Sequence, residues 1–554
     1  MLRRIIVLSL LLILLCGMLM TAASSTQNPS KSSEPLKVTV VPYGPSQETI
    51  DAKKASLLNH PSVKSYLKGT RVRVLSFELI DDNPRKTKDH APPELYRAII
   101  FCYENNRALA VEGRFDSEKI KVTILANQPE EFSDEEFKEA VDILSNDNHF
   151  GPLLRDNIVK PYRPMPSISY AGLGNMVERV VNVGLSPRDG SQPAEIVGVN
   201  MVQSKVERFS NGAPKTAIAT PTACGLPNAG QGTTGKGVAG QYLMTISQGQ
   251  TVIWSMTVIR PSASSGTRAS AIELRDVDYR GKRVFGRAHV PVLNVEYVNG
   301  ACGPYRDWQY QEGFFSATGT DIPGTNNSFR ECTSAPQTVL DNGTDTGNFR
   351  GVAVYTNGNE TTLMSELEAG WYRYICEWHF FTDGSIQPVF GFGGVTNSCV
   401  CNDHNHHVYW RFDFDVAGAS PNSVYGPGLR GWGAQFPTEV KLTRSALGDN
   451  KLHIINPATG DTYAIIPNSK DGSSLNDPYA RGDAWILRRD PNGGELDDGY
   501  NSTGGSGTAI NLDQFVNGGS VQGSDVVVWY GAHFLHTVDD QLSHKVGPQI
   551  IKVQ

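Results

Sequence analysis

Three histidines are the residues of this chain best placed to do chemistry. They begin in the run His404-Asn405-His406-His407-Val408-Tyr409-Trp410-Arg411-Phe412-Asp413-Phe414-Asp415. Its Val, Tyr, Trp and Phe content predicts a strand. Side chains alternate along a strand, so His404 and His406 share a face and His407 points the other way. Two imidazoles on one face can take one metal ion, but two rarely make a tight site. The other close cluster is His533-Phe534-Leu535-His536, directly after the apolar stretch 526–530. An imidazole from it would complete an all-nitrogen set, which suits copper or zinc. Taken alone, an H-x-H pair also reads as two ordinary strand histidines.

Three acids offer a different chemistry. Asp413 and Asp415 share a face, and Asp413 lies an odd number of residues past His406. The carboxylates therefore face away from the imidazoles, roughly 23 Å along a regular strand. With the Phe414 carbonyl between them they form a hard oxygen set, suited to Ca²⁺. Asp525, just ahead of 526–530, supplies a third acid. Three solvated acids at strand edges are the plainer alternative.

The rest of the chain sets these residues in context. Arg3 and Arg4 precede an apolar run over 5–20, and Thr21-Ala22-Ala23-Ser24 follows. This pattern predicts a signal peptide over 1–23. The run is short for a membrane span, which takes about 20 residues. No later stretch is long and apolar enough, so the expected protein is secreted, or periplasmic in a bacterium, with no span after cleavage. The formal net charge is −7, with no basic block, which gives a nucleic-acid partner no support. Of the 8 cysteines, Cys16 leaves with the signal. The rest are Cys102, Cys224, Cys302, Cys332, Cys376, Cys399 and Cys401, an odd set that suits an oxidising compartment and implies at least one free thiol or an intermolecular bridge. Cys399-Val-Cys401 fits a disulfide to another part of the fold or a thiolate site. Asn326, Asn342, Asn359 and Asn501 carry glycosylation sequons.

The pattern of elements predicts an α+β chain. Residues 24–36 are polar and Ser-rich. Over 37–130 a helix at 47–67 precedes strands at 70–79, 95–103, 107–114 and 119–125. Over 131–211 a helix at 133–144, opened by the capping box Ser133/Glu136, precedes strands at 179–185, 195–202 and 205–209. Two successive units of helix on sheet form a weak internal repeat. Residues 212–240 are Gly-, Ala-, Thr- and Pro-rich and read as a linker. From 241 to 554 short strands alternate with Gly/Asn/Asp turns, the pattern of a large antiparallel β-sandwich, with 491–507 as a long loop.

These residues resemble the copper amine oxidase family, the topaquinone-dependent primary-amine oxidases, of which the chain looks like a divergent member. The family has H-x-H, then R-hydrophobic-D-x-D at the distance found here. Its third copper histidine lies seven residues after a Trp in a V-V-W strand, and Trp529 leads to His536 by the same count. The resemblance implies copper on His404, His406 and His536. It also implies a secondary calcium-type site on Asp413, Phe414, Asp415 and Asp525, with Val526 as a further carbonyl.

The family makes topaquinone from a tyrosine in N-Y-D/E-Y, followed by x-x-D/E-W-x-F-x-x-D/N-G-[ST]-I. The stretch from Gly370 to Ile386 fits this frame without a gap and puts Tyr372 at the precursor position. Trp371 stands where the family has Asn, and Arg373 where it has an acid. Strand alternation turns both away from the Tyr372 face. Asp307 matches the base, although pairing with a neighbouring Arg is its plainer reading. Tyr297 matches the tyrosine that contacts the quinone oxygen. Cys302 and Cys332 resemble the family disulfide. The two small units resemble cystatin-like domains.

The implied activity is oxidative deamination of a primary amine by O₂ to aldehyde, ammonia and H₂O₂. Asp307 would remove the α-proton, its pKa raised by burial. A homodimer is implied as well. Trp371 and Arg373 also fit an alternative, a non-catalytic copper-binding secreted relative that lacks the quinone. A zinc hydrolase is a third reading and needs an acid beside an open zinc position.

Overall fold

Runs of β-branched and aromatic residues bounded by Gly, Asn and Asp turns build most of this chain into strands. The computed structural model describes residues 34–554 except 81–93, 127–128, 130–131, 165–167, 174–175, 188–194, 208–223, 227–234, 267, 301, 427–434, 445–450, 475–478, 480–481, 491–493, 499–508 and 538–543. The expected signal peptide, Asn501, most of the linker and most of the 491–507 loop lie outside the described residues.

The first helix opens on Ser46, whose side chain accepts from the Thr49 amide, and runs over Gln47–Asn59. It stops before the end expected from sequence, because Pro61 favours extended backbone at His60 (φ −65°, ψ 132°). A separate turn, Pro61–Lys64, follows. The helix accompanies a four-stranded antiparallel sheet of Val72–Ile80, Leu95–Cys102, Arg107–Arg114 and Ile120–Ile124.

The helix Asp134–Ser145 starts on Ser133, whose hydroxyl accepts from the Glu136 amide at 3.1 Å. The reciprocal half of the capping box does not form. Glu136 turns into the core, where Arg179 donates to it at 2.8 and 2.9 Å and the Tyr103 hydroxyl at 2.7 Å. A five-stranded sheet accompanies this helix: Val159–Tyr162, Ile168–Leu173, Met176–Pro187, Glu195–Asn200 and Lys205–Glu207. The sequence reading lacks the first two strands, since Pro161, Pro164 and Pro166 argue against them.

Two larger sheets form the sandwich. The ten-stranded sheet runs Leu36–Pro42, Gln241–Gln248, Thr251–Ile259, Glu273–Tyr279, Lys282–Tyr297, His404–Phe414, Val526–His536, Ala484–Arg488 and Val440–Leu442, with Tyr305–Arg306 beside Lys282–Tyr297. Its edge strand Leu36–Pro42 pairs with Gln241–Gln248, although the sequence places it mostly in the first small unit. The eleven-stranded sheet is centred on Glu360–Ala369, Tyr372–Phe381 and Ile386–Gly394. One of its ladders, Phe329–Cys332 with Val352–Asn357, is parallel. The inner faces share one core: Trp254 meets Phe380 at 5.3 Å and Phe412 meets Trp378 at 6.4 Å between ring centres.

The cysteines correct one expectation. Cys302 bonds to Cys399, not to Cys332, and Cys224 bonds to Cys401. Tyr297 and His404 are register partners, so Cys302 and Cys399 lie beyond the same end of paired strands. Cys332 ends a strand of the other sheet and is a buried free thiol, as are Cys102 and Cys376. Both cysteines of Cys399-Val-Cys401 are thus disulfide-bonded, and neither is free to act as a thiolate ligand.

Candidate metal centre

Two neighbouring strands of the ten-stranded sheet bring the histidines together, and a third sets Tyr297 beside them. Tyr297, His404 and His536 lie side by side in register. His536 ends the strand Val526–His536, which continues past the expected end of the apolar run. His404, His406 and His536 are fully buried, and each offers a ring nitrogen within 4.8 Å of the others. His407 faces the opposite side, where its Nδ1 meets Nδ1 of His533 at 3.1 Å.

Each ligand candidate is prepared differently. Nδ1 of His404 lies 2.6 Å from the Asn402 carbonyl. It must donate there, so Nε2 presents its lone pair to the site. Burial, opposed by that hydrogen bond and helped by nearby His536, pushes the His404 pKa down to about 3. Burial, then the other imidazoles, holds His406 well below the usual histidine range. Both rings are therefore neutral at pH 7, as metal ligation requires. Neither nitrogen of His406 has a hydrogen-bond partner, although the side chain is fully buried. Buried polar atoms seldom stay unpaired. A cation held by the three rings would take up one of the two His406 nitrogens, and an all-imidazole set suits copper or zinc.

The opposing sheet supplies Tyr372. The hairpin Glu360–Ala369/Tyr372–Phe381 turns through Gly370-Trp371, with Gly370 at φ 59°, a geometry that glycine adopts readily. Tyr372 opens the second strand, and its hydroxyl touches Nε2 of His404 and lies 3.0 Å from Nδ1 of His536. Its exposure is 1%.

Tyr374 shares the Tyr372 face, and the two rings stack at 5.4 Å with 12° between planes. The Tyr374 hydroxyl donates to Asp307. Asp307 is buried, and burial pushes its pKa up to about 7 against the pull of that hydrogen bond and of Arg268. Its chain neighbour Arg306 is bound to Asp498 at 2.6 and 2.8 Å, and the arginine that acts on Asp307 is Arg268. Sequence alternation could have found Tyr374, two residues past Tyr372. Nothing in the sequence pointed to the Asn402 carbonyl or to His544, whose ring stacks on Phe534 at 3.9 Å and lies 6.2 Å from that of His536.

Arg373 turns away from the site, as strand alternation predicts. It is fully buried, pairs with Asp345 at 2.7 and 3.0 Å, and donates to the Gly370 and Tyr372 carbonyls. Trp371 does not turn away. It sits in the turn, where strand alternation does not hold. Its indole N–H donates to the Tyr297 hydroxyl at 2.8 Å. Tyr297 stacks on His404 at 4.7 Å, and Tyr305 meets Trp371 at 5.7 Å. Tyr297 thus makes its hydrogen bond with Trp371 and its ring contact with a histidine.

At the far end of the same strands, Asp413, Asp415 and Asp525 each offer an oxygen within 4.8 Å of the others. Arg489 lies 3.4 Å and Arg411 3.7 Å from Asp413. Arg411 also binds Glu495 at 3.0 Å, so it is shared between acids. Three carboxylates this close together form an oxygen set of the kind that suits a hard cation.

At the level of fold, the chain is similar to solved copper-containing amine oxidases. A copper-containing benzylamine oxidase from Hansenula polymorpha matches with a TM-score of 0.58 and 13% identity, over 92% of this chain and 97% of that one. The Pichia pastoris lysyl oxidase PPLO matches with a TM-score of 0.50 and 13% identity, over 94% of this chain and 92% of that one. No protein-family model matches the sequence. No curated protein matches it either.

Proposed function

We propose that this chain is a copper-dependent primary-amine oxidase, with copper held by His404, His406 and His536 and topaquinone formed from Tyr372. The carrying observation is the Tyr372 hydroxyl lodged between His404 and His536, beside the unpaired His406 ring. The bound groups would supply the carbonyl that takes the amine and the redox couple that returns its electrons to O₂, yielding aldehyde, ammonia and H₂O₂.

The chain's own residues position and move protons. Asp307 accepts the α-proton of the bound amine, and a pKa near neutrality suits a general base. Tyr374 holds the Asp307 carboxylate and stacks on Tyr372, so base and cofactor position are linked through one side chain. Tyr297 packs on His404 and keeps its ring from turning. Burial of all these groups excludes bulk water and strengthens each polar contact. Asp413, Asp415 and Asp525, with the Phe414 and Val526 carbonyls, form a secondary calcium-type site in this reading. The two disulfides fit export to an oxidising compartment. A homodimer belongs to the same reading, and sedimentation mass tests it.

The deciding experiment is aerobic copper loading followed by mass spectrometry of the peptide carrying Tyr372. Conversion of Tyr372 with a positive quinone stain supports the oxidase. Copper bound with Tyr372 unchanged supports the second reading, a copper-binding relative without the quinone. One observation favours that second reading: the bulky Trp371 indole, at the position where the family carries Asn, stays beside the site and donates to the Tyr297 hydroxyl at 2.8 Å.

A further inference from the structure

The histidine site ends on a loop fastened by both disulfides. Cys399 and Cys401 precede His404 by five and three residues. Between them and the histidine lies Asn402, whose carbonyl accepts from His404 Nδ1 at 2.6 Å. That bond selects the His404 tautomer and orients its ring, since Nε2 serves the site only while Nδ1 carries the proton.

The loop leads into Asp403, whose carbonyl accepts from the Val298 amide at 2.9 Å. The loop itself is a single turn, Ser398–Cys401. Asn397 accepts from the Cys399 amide at 2.8 Å, and Asn402 donates to the Cys399 carbonyl at 3.0 Å. So short a turn is weak on its own. The disulfides fasten it from two sides. Cys302 comes from beyond the Lys282–Tyr297 strand and is separated from Cys399 by 97 residues. Cys224 lies 177 residues from Cys401, in a segment whose Leu226 amide donates to the Gly394 carbonyl at 2.9 Å. Two distant parts of the chain therefore meet at the residues flanking Val400.

We propose that Cys302–Cys399 and Cys224–Cys401 are positioning elements of the metal centre: they hold Asn402 so that its carbonyl fixes His404, and opening them weakens metal binding. The proposal rests on the reading of His404, His406 and His536 as metal ligands. Loss of an outer hydrogen-bond partner of a metal-bound histidine typically costs about 10–100-fold in affinity, and the same loss is expected here.

The test uses the full chain with Cu²⁺ as the probe. Wild type, Cys302→Ser/Cys399→Ser, Cys224→Ser/Cys401→Ser and His406→Ala are titrated against a competing chelator. Copper electron paramagnetic resonance is recorded for each, and circular dichroism and the metal-free melting temperature check the fold. The expected result is a Kd raised about 10–100-fold in either disulfide variant, with a changed nitrogen hyperfine pattern and an unchanged circular dichroism spectrum. A general loss of stability would lower the melting temperature without altering the copper spectrum of the folded fraction. If a variant does not fold, wild-type disulfides are opened with a phosphine, the freed thiols are alkylated, and the folded fraction is titrated. Wild-type affinity and spectrum in the opened protein overturn the proposal. Unaltered copper binding in His406→Ala overturns instead the ligand reading beneath it.

Discussion

The hydroxyl of Tyr372 lies against Nε2 of His404, across the gap between the two sheets of the sandwich. A tyrosine from one sheet thus meets, end-on, a histidine from the other. The contact separates two roles that can be tested apart. Tyr372→Phe keeps all three imidazoles and is expected to bind copper with little change in Kd, while amine oxidation falls to background. His404→Ala removes a ligand and is expected to lose both metal and activity. Its copper affinity should fall by more than the ~10–100-fold cost of losing an outer partner. Calorimetric titration and a peroxide-coupled assay check the pair, and an active, copper-free His404→Ala protein would falsify the scheme.

The base offers a pH test whose sign follows from its surroundings. Burial raises Asp307 to about 7, while the Tyr374 hydroxyl pulls it down. The ionised form is the base, so kcat/KM should rise with pH through about 7. Tyr374→Phe removes a donor to the carboxylate and should move that limb to higher pH. Asp307→Asn removes the base and should lower kcat by about 10²–10⁴-fold with copper retained. A pH limb unmoved in Tyr374→Phe would show that the limb belongs to another group.

Much of this site was legible because its parts obey strand periodicity. His404 and His406 share a face, His407 takes the other, and Arg373 turns from Tyr372, all from alternation alone. The neighbourhood of Tyr372 and His536 is a long-range relation between two sheets, which periodicity does not encode. Trp371 misled because it occupies a turn, where the two-residue period stops. Cys302 misled because its partner follows the register of Tyr297 with His404, not the family pattern that suggested Cys332. The break at His60 was open to reading, since Pro61 is plain in the sequence. The strand Leu36–Pro42 was not, because its partner lies some two hundred residues away.

Arg373 is a positive charge next to Tyr372 in sequence, but its burial against Asp345 keeps it from attracting an acidic substrate. Asp345→Ala leaves a buried guanidinium without its bidentate partner. Breaking a buried pair from one side costs about 3–5 kcal/mol, so a clear fall in melting temperature is expected. The affected carbonyls belong to Gly370 and Tyr372, so copper affinity should change little while the rate of Tyr372 conversion falls. The ratio of kcat/KM for an acidic and a neutral amine should stay constant in Asp345→Asn. A shift in that ratio would place Arg373 in the substrate path after all.

Trp371 bears on whether the tyrosine can mature. Its N–H can only donate, so the Tyr297 hydroxyl accepts from it and keeps its own proton to give elsewhere. Trp371→Phe preserves an aromatic ring over the site and removes that donor, at a stability cost of about 1 kcal/mol. Trp371→Asn removes the bulk and installs the residue the family pattern carries. If the indole blocks cofactor formation, quinone absorbance after aerobic copper loading should be absent in wild type and present in Trp371→Asn. If the wild-type site matures, both proteins should form the quinone, and Trp371→Phe should differ from wild type mainly in KM. Copper affinity is the internal control, because Trp371 meets His404 through its neighbours Tyr297 and Tyr372. A large loss of copper in Trp371→Phe would mean that the Tyr297 stack, more than the disulfide-bound loop, holds His404 in place.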